Sequence, residues 1–240
     1  MRDEWLRSVE LLRGKVESFD DYPFNLPAVR ALEEIELTRP VTFFVGENGS
    51  GKSTLIEAIA IRWGFNPEGG STAFRFATAE GTHSNLHDYL RLVRAPYRPS
   101  DGYFLRAESF FNLATQVDEL GVNGYGSKSL HAQSHGESFL ALVQNRFRGS
   151  GLYLLDEPEA ALSPTRQMSL VARIHELVER RSQFIIATHS PILLAYPRAT
   201  IYHCGPSGLQ AVAYEDTEHF RVTHDFLTRY PTMLRTLLGG

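Results

Sequence analysis

The sequence predicts an α/β fold: a mostly parallel sheet flanked by helices, with a small N-terminal antiparallel layer and a helical lobe. Three observations carry this prediction. Val41-Thr42-Phe43-Phe44-Val45 is a mostly apolar run that reads as a buried strand, followed by a glycine-rich turn and a segment of helical apolar periodicity from Ser53 to Trp63. Leu152 to Leu155 and Phe184 to Ala187 are two further apolar runs of strand length. Between them, Leu170, Val171, Ile174, Leu177 and Val178 fall on one helical face. Strands that alternate with helices form parallel sheets covered on both sides, because each parallel crossover needs a helix.

Taken in order, the chain to about Pro40 has short strand-like runs at Leu6 to Leu12 and Ile35 to Leu37. Asp20-Asp21, Pro23 and Pro27 interrupt them, which suits a small antiparallel layer. The stretch from Asn66 to Gly151 is the least regular. It carries Gly69-Gly70, a proline-bearing loop near 96 to 102, and Gly121, Gly124 and Gly126, and reads as a mostly helical lobe with mobile connections. After Gly151 the strand and helix signals resume, with Ser163-Pro164 as a helix-start signal. One domain over 1–240 is therefore expected, with 1–65 and 151–240 forming a core lobe and 66–150 a helical lobe.

Composition narrows the classes. The 240 residues carry 24 Lys+Arg against 28 Asp+Glu, a net charge of -4, and are 42% hydrophobic. That balance can bury a sizeable core and argues against wholesale disorder. The longest apolar stretches, such as Phe139 to Val143 and Ile192 to Tyr196, fall far short of the ~20 residues of a membrane helix. Met1 to Arg13 interleaves charged and apolar residues and lacks the apolar core of a signal peptide. The single cysteine, Cys204, excludes an intramolecular disulfide. A cytoplasmic protein without a membrane span is expected.

Chemistry enters at Gly46-Glu47-Asn48-Gly49-Ser50-Gly51-Lys52-Ser53, which matches G-x-x-x-x-G-K-[ST] between a strand and a helix. Glycines let the backbone curl with its N–H groups inward as an anion nest, and the helix that follows adds its positive end. These eight residues and the adjacent Thr54 are the expected nucleotide-binding set. Lys52 can reach the β/γ-phosphates as a point charge, and the Ser53 hydroxyl can ligate Mg²⁺. The loop alone does not say what becomes of the nucleotide, since many activities share it.

The run Leu152-Tyr153-Leu154-Leu155 ends in Asp156-Glu157. Asp156, at the carboxyl edge of the sheet, is the expected second metal ligand beside Ser53. Glu157 would orient or deprotonate an attacking water, and this second carboxylate favours hydrolysis over binding alone. Another strand ends in Ala187-Thr188-His189-Ser190-Pro191, where the His189 imidazole could hydrogen-bond a γ-phosphate. Glu157, His189 and Lys52 form the candidate catalytic set.

Gln133-Ser134-His135-Gly136-Glu137 precedes an apolar helix. By itself, Ser134 with Glu137 is a capping box. Together with the other motifs it resembles the signature of ATP-binding-cassette (ABC) ATPases, here with His135 where the usual pattern has glycine. The order of phosphate loop, signature, acidic strand end and switch histidine covers Val41 to Ser190. The wording of 156–164 and 188–191 is more similar to stand-alone bacterial AAA family and SMC/RecF-like ATPases than to transporter subunits.

The resemblance implies ATP as substrate, Mg²⁺ as cofactor, and a homodimer that closes head to tail on ATP. It also implies a client protein that the sequence leaves unidentified. In such a dimer Ser134, Gly136 and Glu137 would act in trans, and Ala161-Leu162-Ser163 would line the seam. The family's Q-loop glutamine has no clear match: Glu108 is the preferred occupant, with Gln116 further on.

Alternatives are an ATP-binding subunit of a membrane transporter and an ATP-dependent DNA-repair accessory. Arg91, Arg94, Arg98 and Arg106 offer local positive charge, but the negative total argues against DNA as the default partner. Only ~100 residues separate phosphate loop and acidic strand end, too few for a long coiled-coil arm. His83/His87 and His131/His135 have the spacing of metal pairs but no evident third ligand.

Overall fold

The computed structural model describes residues 4–71, 83–106 and 135–239, and the architecture below is that of these residues. A six-stranded sheet is built from β3 (Val41–Val45), β5 (Asp101–Arg106), β6 (Gly151–Asp156), β7 (Gln183–Ala187), β8 (Ala199–Gly205) and β9 (Gly208–Val212), in the order β5-β6-β7-β3-β8-β9. All neighbours are parallel except the β8–β9 hairpin. A separate antiparallel sheet, β2-β1-β4, joins β1 (Leu6–Leu11) to β2 (Glu34–Glu36) and β4 (Leu90–Arg94). The described helices are α1 (Pro27–Arg30), α2 (Lys52–Trp63), α3 (His135–Arg146), α4 (Pro164–Glu179), α5 (Pro191–Leu194) and α6 (Glu218–Leu238).

The predicted α/β fold with a mostly parallel sheet and a small antiparallel layer is what forms. β3, β6 and β7 are buried along their whole length, so every side chain, up or down, must meet an apolar layer. Period-2 alternation sorts them. Phe43, Tyr153, Leu155 and Ile186 face a core shared with α3, α4 and α5. Phe44, Leu152, Leu154 and Ile185 face the opposite core, filled by α2 (Leu55, Ile56, Ile59) and the small sheet (Val9, Leu11).

The two sheets are tied by polar as well as apolar contacts. The buried Gln183 amide accepts the Leu6 N–H at 2.8 Å and donates to its carbonyl at 2.7 Å, so both ends of the amide are satisfied. On the other face Phe147 and Tyr153 stack with ring centroids 4.2 Å apart, and the Tyr153 hydroxyl donates to Asp101 at 2.8 Å.

Within 66–150, the segments Leu90–Arg94 and Asp101–Arg106 are strands of the two sheets, while α3 is the long helix among that stretch's described residues. Ser163 stands at the start of α4 with Pro164 following, although its hydroxyl makes no capping bond. Phe220 to Tyr230 lies on α6, none of whose residues is buried. Among the described residues no helix is long and apolar enough to cross a membrane.

Candidate functional site

Strand register gathers the predicted residues at one edge. Arg106 stands opposite Asp156, Asp156 opposite Ala187, and Ala187 opposite Phe44, so β5, β6, β7 and β3 finish level. The loop 46–51, the acidic pair 156–157 and the segment 188–190 leave from those ends. This is the carboxyl edge where open α/β sheets collect ligands.

Gly46 begins the phosphate loop at φ +143°, where a Cβ would come 2.4 Å from the Cys204 carbonyl oxygen. Only glycine fits against β8 there. The loop closes around its lysine: Lys52 Nζ donates to the carbonyls of Gly46 at 2.8 Å and Glu47 at 2.9 Å. Lys52 is buried, and burial holds its ammonium below the ordinary lysine value. The charge is thus fixed inside the loop before any anion arrives.

Ser53 Oγ donates to Asp156 Oδ1 at 2.9 Å, uniting the two predicted metal ligands across 103 residues. Asp156 is buried, and the Arg106 guanidinium Nε lies 3.7 Å from its other oxygen while Nη1 binds Glu57. A hydroxyl and a carboxylate are the hard oxygen donors that suit Mg²⁺, which takes one or two protein carboxylates and completes its shell with phosphate and water. Among the described residues no group of three His, Cys, Asp or Glu is arranged to hold a metal by protein ligands alone. The site therefore fits a Mg²⁺ shared with a nucleotide better than a closed structural metal centre.

Glu157 adopts the left-handed conformation, φ +49° and ψ +51°, with its N–H bonded to the Ala187 carbonyl at 3.0 Å. A non-glycine residue there costs about 1–3 kcal/mol, a strain found where a side chain must be aimed. Its side chain remains 40% exposed, with Oε1 3.6 Å from His189 Nε2. The two catalytic candidates thus face each other, one open to water and one at the end of a buried strand.

Two neighbours hold His189. Glu159, two residues past Glu157, accepts the His189 backbone N–H. Burial raises its carboxyl above the usual range, and the His189 N–H opposes that rise. His219, at the start of α6, brings its Nε2 to 3.0 Å from His189 Nδ1. Ser190 fixes the next step: its Oγ accepts the N–H groups of Ile192 and Leu193 at 3.2 Å and donates to Gln167 at 2.6 Å.

Sequence reading missed Glu159 and His219 as parts of the site, and considered Arg106 only as local positive charge beside the expected Q-loop. Glu159 was visible as a third acid in Asp156-Glu157-Pro158-Glu159, but its burial appears only in the fold. Arg106 lies two residues before the expected Q-loop position Glu108, and the register of β5 against β6 is what sets it beside Asp156. His219 carries no local signal.

Ser134, Glu108 and Gln116 lie outside the described residues. Gly136 and Glu137 open α3 against α4 and the short turn Pro158–Ala161. A Cβ on Gly136 would come 2.7 Å from both the Ala161 carbonyl and the Arg166 guanidinium, and Glu137 pairs with Arg166 at 2.9 Å. The signature helix and the expected seam loop are thus in direct contact within one chain.

Residues 23–88 match a family model described as "AAA domain", and residues 138–195 one described as "AAA domain, putative AbiEii toxin, Type IV TA system". The chain is 29% identical to the aliphatic sulfonates import ATP-binding protein SsuB 2 of Streptomyces avermitilis, over 99% of this chain and 93% of that one. It is 27% identical to the cytochrome c biogenesis ATP-binding export protein CcmA of Paracoccus denitrificans, over 84% of this chain and 88% of that one. Among solved structures, cbiO1 of Clostridium perfringens, part of the ABC transporter complex cbiONQ, aligns with a TM-score of 0.49 at 16% identity, covering 86% of this chain and 92% of that one. Over most of its length the chain is thus similar to ATP-binding proteins of the ABC class.

Proposed function

We propose that this protein binds Mg-ATP and hydrolyses it as a head-to-tail homodimer, driving a conformational change in a partner protein. The observation that carries this reading is the 2.9 Å contact between Ser53 Oγ and Asp156 Oδ1, with Glu157 next in the chain. Ser53 and Asp156 would hold Mg²⁺, which when bound neutralises charge developing on the β- and γ-phosphates. Lys52 binds the same phosphates from inside the loop. Glu157, exposed to solvent, accepts a proton from water, and the His189 imidazole orients it from 3.6 Å.

The contact of Gly136 with the Ala161 carbonyl supports dimer gating. A second head docking on the signature helix would press on Pro158–Ala161, which directly follows Glu157. Dimerisation is tested by light scattering. The 27.0 kDa chain should double in mass with Mg-ATP in the Glu157→Gln variant and stay monomeric without nucleotide. A monomer at saturating Mg-ATP would overturn the dimer reading.

The relatives favour one kind of partner. SsuB 2 and CcmA are named as ATP-binding proteins of import and export, which supports a membrane transporter as the client ahead of a stand-alone or DNA-directed role. Co-purification of a membrane protein with the trapped variant distinguishes these, while ATP-dependent DNA binding that weakens with salt would point to the DNA-repair alternative.

A further inference from the structure

The contact between His189 and His219 sets a constraint on protons. At 3.0 Å, with ring centroids 5.1 Å apart, the two imidazoles share a hydrogen bond only if one nitrogen carries a proton and the other presents its lone pair. Two neutral arrangements satisfy this. In the first, His219 Nε2–H donates to His189 Nδ1, and His189 keeps its own proton on Nε2. In the second, His189 Nδ1–H donates and its Nε2 is bare.

The surroundings choose between them. His189 Nε2 is buried, has no hydrogen-bond partner among the described residues, and lies 3.6 Å from the Glu157 carboxylate. A bare lone pair facing a carboxylate is repelled, whereas an N–H is attracted. His219 is suited to be the donor because it is firmly placed. Thr217 Oγ1, which donates to the Tyr214 carbonyl at 2.7 Å, also accepts the Phe220 N–H and so caps α6 two residues before His219. Burial, reinforced by the adjacent His189, holds His219 below the ordinary imidazole value, so it offers one N–H and no charge.

We infer that His219 is a positioning residue: through its hydrogen bond to Nδ1 it locks His189 in the Nε2–H form, so that an N–H donor faces Glu157 and the phosphate position. This rests on the role proposed above for Glu157 and His189. It also means that the switch histidine is set by the C-terminal helix, 30 residues away in sequence.

Two measurements on the full-length protein test it. Nitrogen-15 spectra of histidine-labelled wild type, without nucleotide, should show His189 protonated at Nε2 and bare at Nδ1, and His219→Ala should lose that single form. In ATP hydrolysis, His219→Ala should lower kcat by about 10–100-fold with KM within about twofold, as for a lost partner behind a working group. His219→Gln, whose amide places an N–H near the same point, should recover most of kcat. A wild-type His189 protonated at Nδ1 overturns the inference, as does a folded His219→Ala with unchanged kcat or a His219→Gln without rescue. Should wild type not hydrolyse ATP at all, the proposed function fails, while the spectra still read the tautomer.

Discussion

Glu157→Gln is expected to reduce ATP turnover by about 10²–10⁴-fold while leaving ATP affinity within a few-fold of wild type. The two side chains have the same shape, but the amide cannot accept a proton from water. Glu157 is the right group to lose because its side chain is exposed, whereas Asp156 beside it is buried and bound by Ser53. The left-handed backbone at 157 is kept in the variant, so the contacts of Pro158–Ala161 should survive. Steady-state phosphate release together with equilibrium ATP binding checks this. Equal turnover in both proteins contradicts the role given to Glu157.

Lys52→Ala is expected to act earlier, on binding. Removing a charged donor costs about 1.5–3 kcal/mol, which corresponds to roughly 10–100-fold in ATP affinity. The loss also leaves the Gly46 and Glu47 carbonyls without the donor that draws them together, so the loop itself should loosen. Lys52→Arg should not restore affinity, because the pocket that holds the ammonium is buried and closed by two carbonyls under 3 Å away. Calorimetric titration with Mg-ATP measures both variants. Wild-type affinity in Lys52→Ala would remove the lysine from the site.

These expectations rest on residues that were legible before any coordinates. β3, β6 and β7 announce themselves because strands buried on both faces read as continuous apolar runs, and the loop after β3 has a spacing that few other structures require. Asp156 and Glu157 follow from standing at the end of such a run. β4 was harder. Leu90–Arg94 is an edge strand that alternates apolar with Arg91 and Arg94 and sits near prolines, so its partner β1, some eighty residues earlier, could not be inferred locally.

The supporting residues were illegible for a related reason. Glu159 differs from Glu157 only in which way the chain turns after Pro158: one carboxylate is sent outward and the other inward to the His189 N–H. His219 belongs to a helix with an apolar stripe whose residues remain at least partly exposed, and its pattern speaks of packing, not of a contact with β7's end. Groups that act directly on a phosphate carry spacing constraints in sequence. Those that orient other side chains are chosen by tertiary geometry, and many sequences would serve.

The central claim is that Ser53, Asp156 and Glu157 make this a Mg-dependent hydrolytic site. Single-turnover phosphate release, with enzyme in excess over ATP, tests it most directly, because slow turnover or slow product release cannot hide the chemistry. The account predicts one phosphate per ATP with Mg²⁺ present and none after chelation, with activity restored by added Mg²⁺. ATP that stays bound and intact with Mg²⁺, or is cleaved equally well after chelation, would contradict it.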